Sequence, residues 1–226
     1  MMQYLKDILI TKDNTEITIT FYAHASLGIA WNGIHIYVDP VGDKYGVDYS
    51  LEPKADLILI THHHKDHFDA DTIELLSKED TIVYVSKKCS QVITTASLAP
   101  YDFITFHGIS IQTVPAYNIT EDYIQYHPKH DGGLGYILSI GGSNFYIAGD
   151  TEDTEDVLSL KDIDVAFLPV NQPYTMTIEQ VINVVKTIHP SVIYPYHTSS
   201  QMGCTDVEPL VEHLHGFCEV RIRNMR

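Results

Sequence analysis

Apolar and polar side chains alternate along Glu16-Ile17-Thr18-Ile19-Thr20-Phe21-Tyr22, a period of two that predicts a strand with one face in a core. Two further apolar stretches, Ser26–Trp31 and Ile34–Val38, flank Asn32-Gly33, the preferred pair for a tight hairpin turn. Residues 42–54 carry Gly42, Gly46 and Pro53 without a period and read as a loop. The apolar run Leu57-Ile58-Leu59-Ile60 then predicts a buried strand ending at Thr61. Asp71–Ser77 reads as a short helix with acidic residues near its start, Thr81–Val85 as a strand and Lys87–Ser97 as a helix. Tyr101–Phe106 and Ile109–Pro115 read as strands around His107-Gly108.

Residues 116–133 form a long polar loop, a kind that in compact domains often carries function. Leu134–Ile140 and Asn144–Ala148 make a second hairpin across Gly141-Gly142, and Asp164–Leu168 is a strand. Thr177–His189 is the clearest helix. Thr177 and Gln180 stand at capping-box spacing, and Ile178, Val181, Ile182, Val185 and Ile188 form one stripe. Ser191–Pro195 reads as a strand, Asp206–His215 as a helix and Cys218–Ile222 as a terminal strand. No internal repeat is visible and no low-complexity linker divides the chain. The pattern therefore predicts one domain over residues 1–226, with sheets packed between helices.

Composition narrows the class. Hydrophobic residues make up 44% of 226, ordinary for a packed core. No run approaches a membrane span and the N-terminus lacks an apolar signal core, so a cytoplasmic protein with no membrane partner is expected. Lys and Arg total 14 against 30 Asp and Glu, a formal charge of -16 that disfavours nucleic acid and leaves a small-molecule substrate. Cys89, Cys204 and Cys218 are odd in number, without a CxxC, and read as ordinary thiols. A homo-oligomer is the default assembly.

The candidate chemistry gathers in Thr61-His62-His63-His64-Lys65-Asp66-His67-Phe68-Asp69, directly after a predicted buried strand. Imidazole is the commonest protein metal ligand, and carboxylate suits the same cations. Other predicted strands end likewise: Asp150 follows one through Gly149, His197 follows another, and Asn118 and His127 follow a third. Sites in sheet proteins gather where strands end on one edge, so these residues point to one convergent site. Asp39, at the end of the first hairpin, is placed to orient a ligand histidine from behind. His24 reads equally as a packing residue or a substrate contact, and Asn118 as a substrate donor or a turn residue. His63 and Lys65 read as solvated loop positions. Tyr117, Tyr126 and Tyr196 border the candidates and are expected to line a pocket.

The spacing His62-x-His64-x-Asp66-His67 resembles the HxHxDH signature of the metallo-β-lactamase superfamily. Gly149-Asp150-Thr151 and Tyr196-His197 resemble its later segments in the same order. Ala23-His24-Ala25-Ser26, Val38-Asp39-Pro40, Val114-Pro115-Ala116-Tyr117-Asn118 and Ala148-Gly149-Asp150-Thr151 resemble the branch that holds ascorbate-phosphate-lactonase-like and uncharacterised hydrolases. The likeness runs from about Ile17 to His197. It implies a four-layer αββα sandwich. It also implies that His62 and His64 hold one metal, that Asp66, His67 and His197 hold a second, and that Asp150 bridges them. The superfamily usually adds a third histidine to the first metal where this chain has Asn118. His127, on the same loop, is the nearest substitute, or another possible extra ligand or substrate contact beside His24 and Asn118.

The expected activity is that of a metal-dependent hydrolase acting through a metal-bound hydroxide on a small ester, lactone or phosphodiester. A divalent cation lowers the pKa of bound water from about 16 to near 7. Asp66 is the expected catalytic carboxylate, binding through one oxygen and moving a proton through the other. Zinc suits the ligands, as one or two ions, and manganese or iron also accept such sets. Two alternatives stand beside this reading: an iron-dependent redox enzyme of the same fold, and a degenerate metal-binding module without catalysis.

Overall fold

A computed structural model describes residues 4–200 and 202–225. Residues 1–3, 201 and 226 of the expected domain lie outside the described residues. Strands β1 (Leu5–Ile10), β2 (Glu16–Phe21), β3 (Leu27–Trp31) and β4 (Ile34–Val38) form an antiparallel meander. The next three, β5 (Leu57–Ile60), β6 (Ile82–Ser86) and β7 (Ala96–Leu98), extend it in parallel, with α1 (Ala70–Leu76) between β5 and β6.

The second sheet repeats this plan. It opens with the antiparallel β8 (Phe103–Phe106), β9 (Ile109–Ala116), β10 (Gly133–Ile140) and β11 (Ser143–Ile147). Then α2 (Glu155–Leu158), β12 (Val165–Pro169), α3 (Ile178–Ile188) and β13 (Val192–Tyr196) follow. A small hairpin of β14 (Ser199–Ser200) and β15 (Gly203–Cys204) precedes α4 (Pro209–His213) and β16 (Glu219–Val220). Strands β11, β12, β13 and β16 pair in parallel. Each sheet thus has seven strands in one order, four antiparallel and then three parallel. The residue pattern had shown no repeat; the repetition lies in strand order.

Burial explains the layering. Ile17, Ile19, Phe21, Leu27, Ile29, Leu57 and Leu59 of the first sheet pack on Tyr136, Leu138, Phe145, Ile147, Phe167 and Tyr194 of the second. Helices α2, α3 and α4 cover the outer face of the second sheet through Val157, Val181, Val184, Val185 and Leu210. Helix α1 covers part of the first through Ile73 and Leu76 against Ile58 and Ile60. The result is the αββα sandwich, and its two-sided burial is why β5 reads as an unbroken apolar run. No helix among the described residues is long and apolar enough to cross a membrane.

Local chemistry sets most element ends as expected. Asn32 and Gly33 both take positive φ, 49° and 79°, as the primed hairpin turn requires. Thr177 and Gln180 form the reciprocal capping box on α3. The expected helix over Lys87–Ser97 is absent. Cys89–Gln91 makes a single 3-10 turn and Ala96–Leu98 is β7. The β-branched run Val92-Ile93-Thr94-Thr95 loses side-chain freedom in a helix, and Thr95 Oγ1 donates to Val83 O at 2.7 Å, tying the segment to β6. The helix expected over Asp206–His215 contracts to α4 because Pro209 fixes its first turn. The terminal strand is only Glu219–Val220, and β1 and α2 had no counterpart in the expectations. The chain leaves β2, β4, β5, β9, β11 and β13 toward one end of the sandwich, where the candidate side chains meet.

Candidate metal centre

Behind the histidines lies a single buried carboxylate. Asp39, 1% exposed, accepts from Thr61 N at 2.7 Å, Thr61 Oγ1 at 2.6 Å and His67 Nδ1 at 2.7 Å. Because the Thr61 hydroxyl proton goes to Asp39, its oxygen accepts from His62 Nδ1 at 3.0 Å. Nδ1 is therefore the donor in both rings, and Nε2 faces forward. The turn that follows, with His67 N and Phe68 N both donating to His64 O, brings His64, Asp66 and His67 to one side. Asp69 caps α1 and also accepts from Gly42 N, so the burst is anchored at both ends.

Asp150 reaches the same place from the other sheet. Gly149 has φ 64°, and a Cβ there would sit 2.7 Å from Leu134 O and 3.1 Å from Thr61 Cβ, so glycine is required where β11 meets Thr61. Three non-glycine residues at the same end, His24, Asp39 and His197, also take positive φ, 56°, 46° and 51°. Backbone in that region is costly and clusters at functional sites.

Two donor clusters result. His62, His64, His127 and Asp150 offer ligand atoms within 4.8 Å of one another, and so do His24, Asp66, His67 and His197. Asp150 touches both: Oδ2 is 3.2 Å from His127 Nε2, 3.7 Å from His62 Nε2 and 3.2 Å from His197 Nε2, while Oδ1 is 3.2 Å from His67 Nε2. Asp66 Oδ2 lies 3.2 Å from His24 Nε2 and 3.8 Å from His197 Nε2. His24, a candidate with two readings in the sequence, stands in the second cluster.

The polar atoms at the centre are short of partners. His62 Nε2, His67 Nε2, Asp150 Oδ1 and both ring nitrogens of His197 are buried without a hydrogen bond among the described residues. Such groups are expensive unless something else satisfies them, and this donor chemistry is that of a borderline divalent cation. Burial pushes His62 well below the usual imidazole range, and burial with neighbouring histidines takes His64 and His24 down to about 4. These three are neutral at pH 7, the form that offers a lone pair to a metal. Burial opposes charge on His67 too, but the Asp150 and Asp39 carboxylates overcome it and hold the ring well above its ordinary range. Burial also opposes charge on Asp66, yet the His24 hydrogen bond and the His67 and His197 rings hold it well below the usual carboxylate range. The site therefore calls for positive charge at its centre.

The position Asn118 is a clamp through its nitrogens, while its Oδ1 is buried without a hydrogen bond among the described residues. Its Nδ2 donates to Tyr174 O at 2.8 Å and Tyr123 O at 3.2 Å, and its N donates to His127 O at 2.8 Å, closing the loop on itself. His127 Nδ1 donates to the same Tyr174 carbonyl at 2.9 Å, leaving Nε2 toward His64 and Asp150. Glu152, fully buried, accepts from Ile119 N and Thr120 N, each at 2.7 Å, and fastens the loop to the segment that carries Asp150. Replacing Glu152 by Ala is expected to free this loop and weaken metal binding at the His127 cluster about 10- to 100-fold, the usual cost of losing an orienting partner. Titration against a competing chelator checks this; two metals of wild-type affinity in E152A would refute it.

An open cleft of about 850 Å³ lies over the clusters, walled by His24, Tyr45, His64, Asp66, His127 and His197 among others. Tyr126 lines it as expected; the other two tyrosines do not. Tyr117 OH donates to Asp156 at 2.9 Å under Lys129, and Tyr196 is buried with its hydroxyl accepting from Gly149 N at 2.9 Å. Thr61 was named only as the start of the ligand stretch, and Glu152 and Tyr174 had no place in the sequence reading. Glu152 stands two residues after Asp150, a signal that was there to find; Tyr174 acts through its carbonyl, which no residue type announces.

The sequence model of the β-lactamase superfamily domain matches residues 18–197. A UPF0173 metal-dependent hydrolase of Thermococcus kodakarensis is 31% identical over 197 residues, covering 80% of this chain and 84% of its own. The crystal structure of a candidate metal-dependent hydrolase from Parabacteroides distasonis superposes with a TM-score of 0.92 at 40% identity, covering 99% of this chain and 100% of that one. Igni18, a metallo hydrolase of Ignicoccus hospitalis, shares the fold with a TM-score of 0.74 at 23% identity, over 92% of this chain and 94% of its own.

Proposed function

The chain belongs to the metallo-β-lactamase superfamily, among relatives named metal-dependent hydrolases, and from that premise we propose that it hydrolyses a small ester, lactone or phosphodiester. The observation that carries the reading is Asp150, whose two oxygens face both donor clusters beneath an open cleft. His62, His64, His127 and Asp150 would hold one cation, and His24, Asp66, His67 and His197 the other, with Asp150 shared. Zinc suits this imidazole-rich set, and manganese or iron also fit it. When bound, such ions make water acidic enough to attack at neutral pH and polarise the oxygen of the bond to be cut.

The side chains supply the rest. Asp39 and Thr61 hold His62 and His67 by Nδ1, so that Nε2 of each ring already faces the cation positions. Asp66, 32% exposed at the cleft wall, is the carboxylate placed to accept the proton of the attacking water and return it to the leaving oxygen. The cleft is open enough to admit a small molecule, and its tyrosines supply apolar wall. Taking residues 1–226 as one domain is supported by the shared core between the sheets. The net charge of -16 supports a small-molecule substrate over nucleic acid.

Elemental analysis of purified protein, with turnover assays on 4-nitrophenyl butyrate, a simple lactone and bis-4-nitrophenyl phosphate, tests the reading. Bound transition metal and chelator-sensitive hydrolysis of at least one substrate are expected. Metal-loaded protein inert to all three classes would count against it.

A further inference from the structure

The second donor cluster depends on how His24 is held. Its ring centre lies 3.9 Å from that of His197, yet the two residues come from different sheets: His24 follows β2 and His197 follows β13. Neither stands in a strand, and both take positive φ. His24 O accepts from His197 N at 3.1 Å, and His24 N donates to Met225 O at 2.6 Å. A ligand of the first sheet is therefore held at both main-chain groups by the part of the chain that follows β13.

The segment that supplies Met225 is fastened just before it. After β16, Arg221 N donates to Ile193 O at 2.9 Å, so the chain still runs beside β13. Arg223 then reaches across to β1. Its Nε donates to Asp7 Oδ1 at 2.9 Å and its Nη2 to Asp7 Oδ2 at 2.6 Å, a two-point fork. The Tyr194 hydroxyl donates to the same Asp7 Oδ2 at 2.7 Å and accepts from Arg221 Nη1 at 3.1 Å. Asp7 and Arg223 keep only 13% and 27% of their side chains exposed, so salt screens this pair less than one in open water. β1 and β16 are edge strands, one of each sheet, while the other two edges, β7 and β8, are joined by the chain itself. Asp7 and Arg223 thus close the side of the sandwich that the chain does not bridge. Just beyond them Met225, 6% exposed within the core between the sheets, lines the cleft.

We propose that Asp7 and Arg223 form a latch that sets the second cation position: by fixing residues 221–225 they place the Met225 carbonyl, which holds His24 against His197. Both are positioning residues, acting through Met225 rather than as ligands. Their effect on turnover rests on the hydrolase reading; their effect on metal affinity does not. The first cluster lies beyond the latch, because His127 is oriented by the Tyr174 carbonyl and its loop is fastened by Glu152.

Competition of the metal-stripped chain with a chromophoric chelator for zinc tests the latch. H24A and H127A mark which binding step belongs to which cluster. Arg223→Gln is expected to weaken the H24A-sensitive step about tenfold, the usual cost of losing an orienting partner, and the H127A-sensitive step by less than about twofold. Arg223→Lys keeps the charge and loses the fork; it should weaken the same step by a smaller factor, and it carries the test if R223Q does not fold. Val185→Ala removes packing beneath α3, outside the cleft, and reports what lost stability alone does. Equal weakening of both steps, no weakening of the H24A-sensitive step, the same loss in V185A, or a wild type without an H24A-sensitive step would overturn the latch. Turnover of whichever ester, lactone or phosphodiester the wild type cleaves should fall in R223Q at limiting zinc and return in excess zinc. A wild type that binds zinc in two steps and cleaves none of them defeats the hydrolase reading, and the affinity contrast still decides the latch. Wild-type turnover with both zinc steps unchanged in R223Q defeats the latch alone.

Discussion

Asp150→Ala is expected to lower kcat/KM on any hydrolysed substrate by about 10³-fold or more, because it removes one group that serves both clusters. The side chain is 4% exposed and contacts four imidazoles: His62 and His127 on one side, His67 and His197 on the other. Without it, those rings face one another with no anion between them, and bringing two dications close becomes costly. The variant should retain less than the full metal complement by elemental analysis. His62→Ala removes a donor from one cluster only, so it should spare more of the metal. Circular dichroism should show the fold intact, since Gly149 and Thr151 keep their backbone and hydroxyl contacts to Tyr196 and Tyr117. Wild-type turnover in D150A would remove Asp150 from the mechanism.

Stripping the metal is expected to lower the melting temperature by about 8–16 °C. A ligand that binds only the folded state, present at a thousand times its Kd, stabilises by about 4 kcal/mol, and a domain of this length shifts about 2–4 °C per kcal/mol. In the absence of a cation, buried His62 Nε2 has no hydrogen-bond partner among the described residues, and His67 Nε2 and Asp150 Oδ1 have only each other, 3.2 Å apart. Their desolvation is then only partly repaid. Differential scanning fluorimetry before and after chelation, with readdition of zinc, manganese or ferrous iron, measures the shift and ranks the metals. A melting temperature indifferent to chelation would mean that these clusters hold no cation in solution.

Much of the fold could be read from residue pattern because burial and period coincide. The alternating strand at Glu16–Phe21 and the unbroken run at Leu57–Ile60 report one-sided and two-sided burial directly. The misread segment, Lys87–Ser97, is short and β-branched, and its state depends on Thr95 reaching Val83, a contact twelve residues away. In the site, the residues announced by type and strand end, from His62 to His197, lie where strands converge. Asn118 was the exception. The resemblance implied a histidine there, but only the fold shows Asn118 gripping the Tyr174 carbonyl that also orients His127.

The two sheets share one strand plan, four antiparallel and three parallel, and the donors divide between them. His62, His64, His24, Asp66 and His67 come from the half ending at β7; His127, Asp150 and His197 come from the half beginning at β8. Neither half holds a complete cluster. In that sense the centre is an intersubunit site whose two subunits share a peptide chain, joined by the short stretch from Ala99 to Asp102 between β7 and β8. The linker sets a high effective concentration of one half for the other, and metal affinity inherits it. A chain of half this length could assemble a comparable centre only by docking against a second copy of itself.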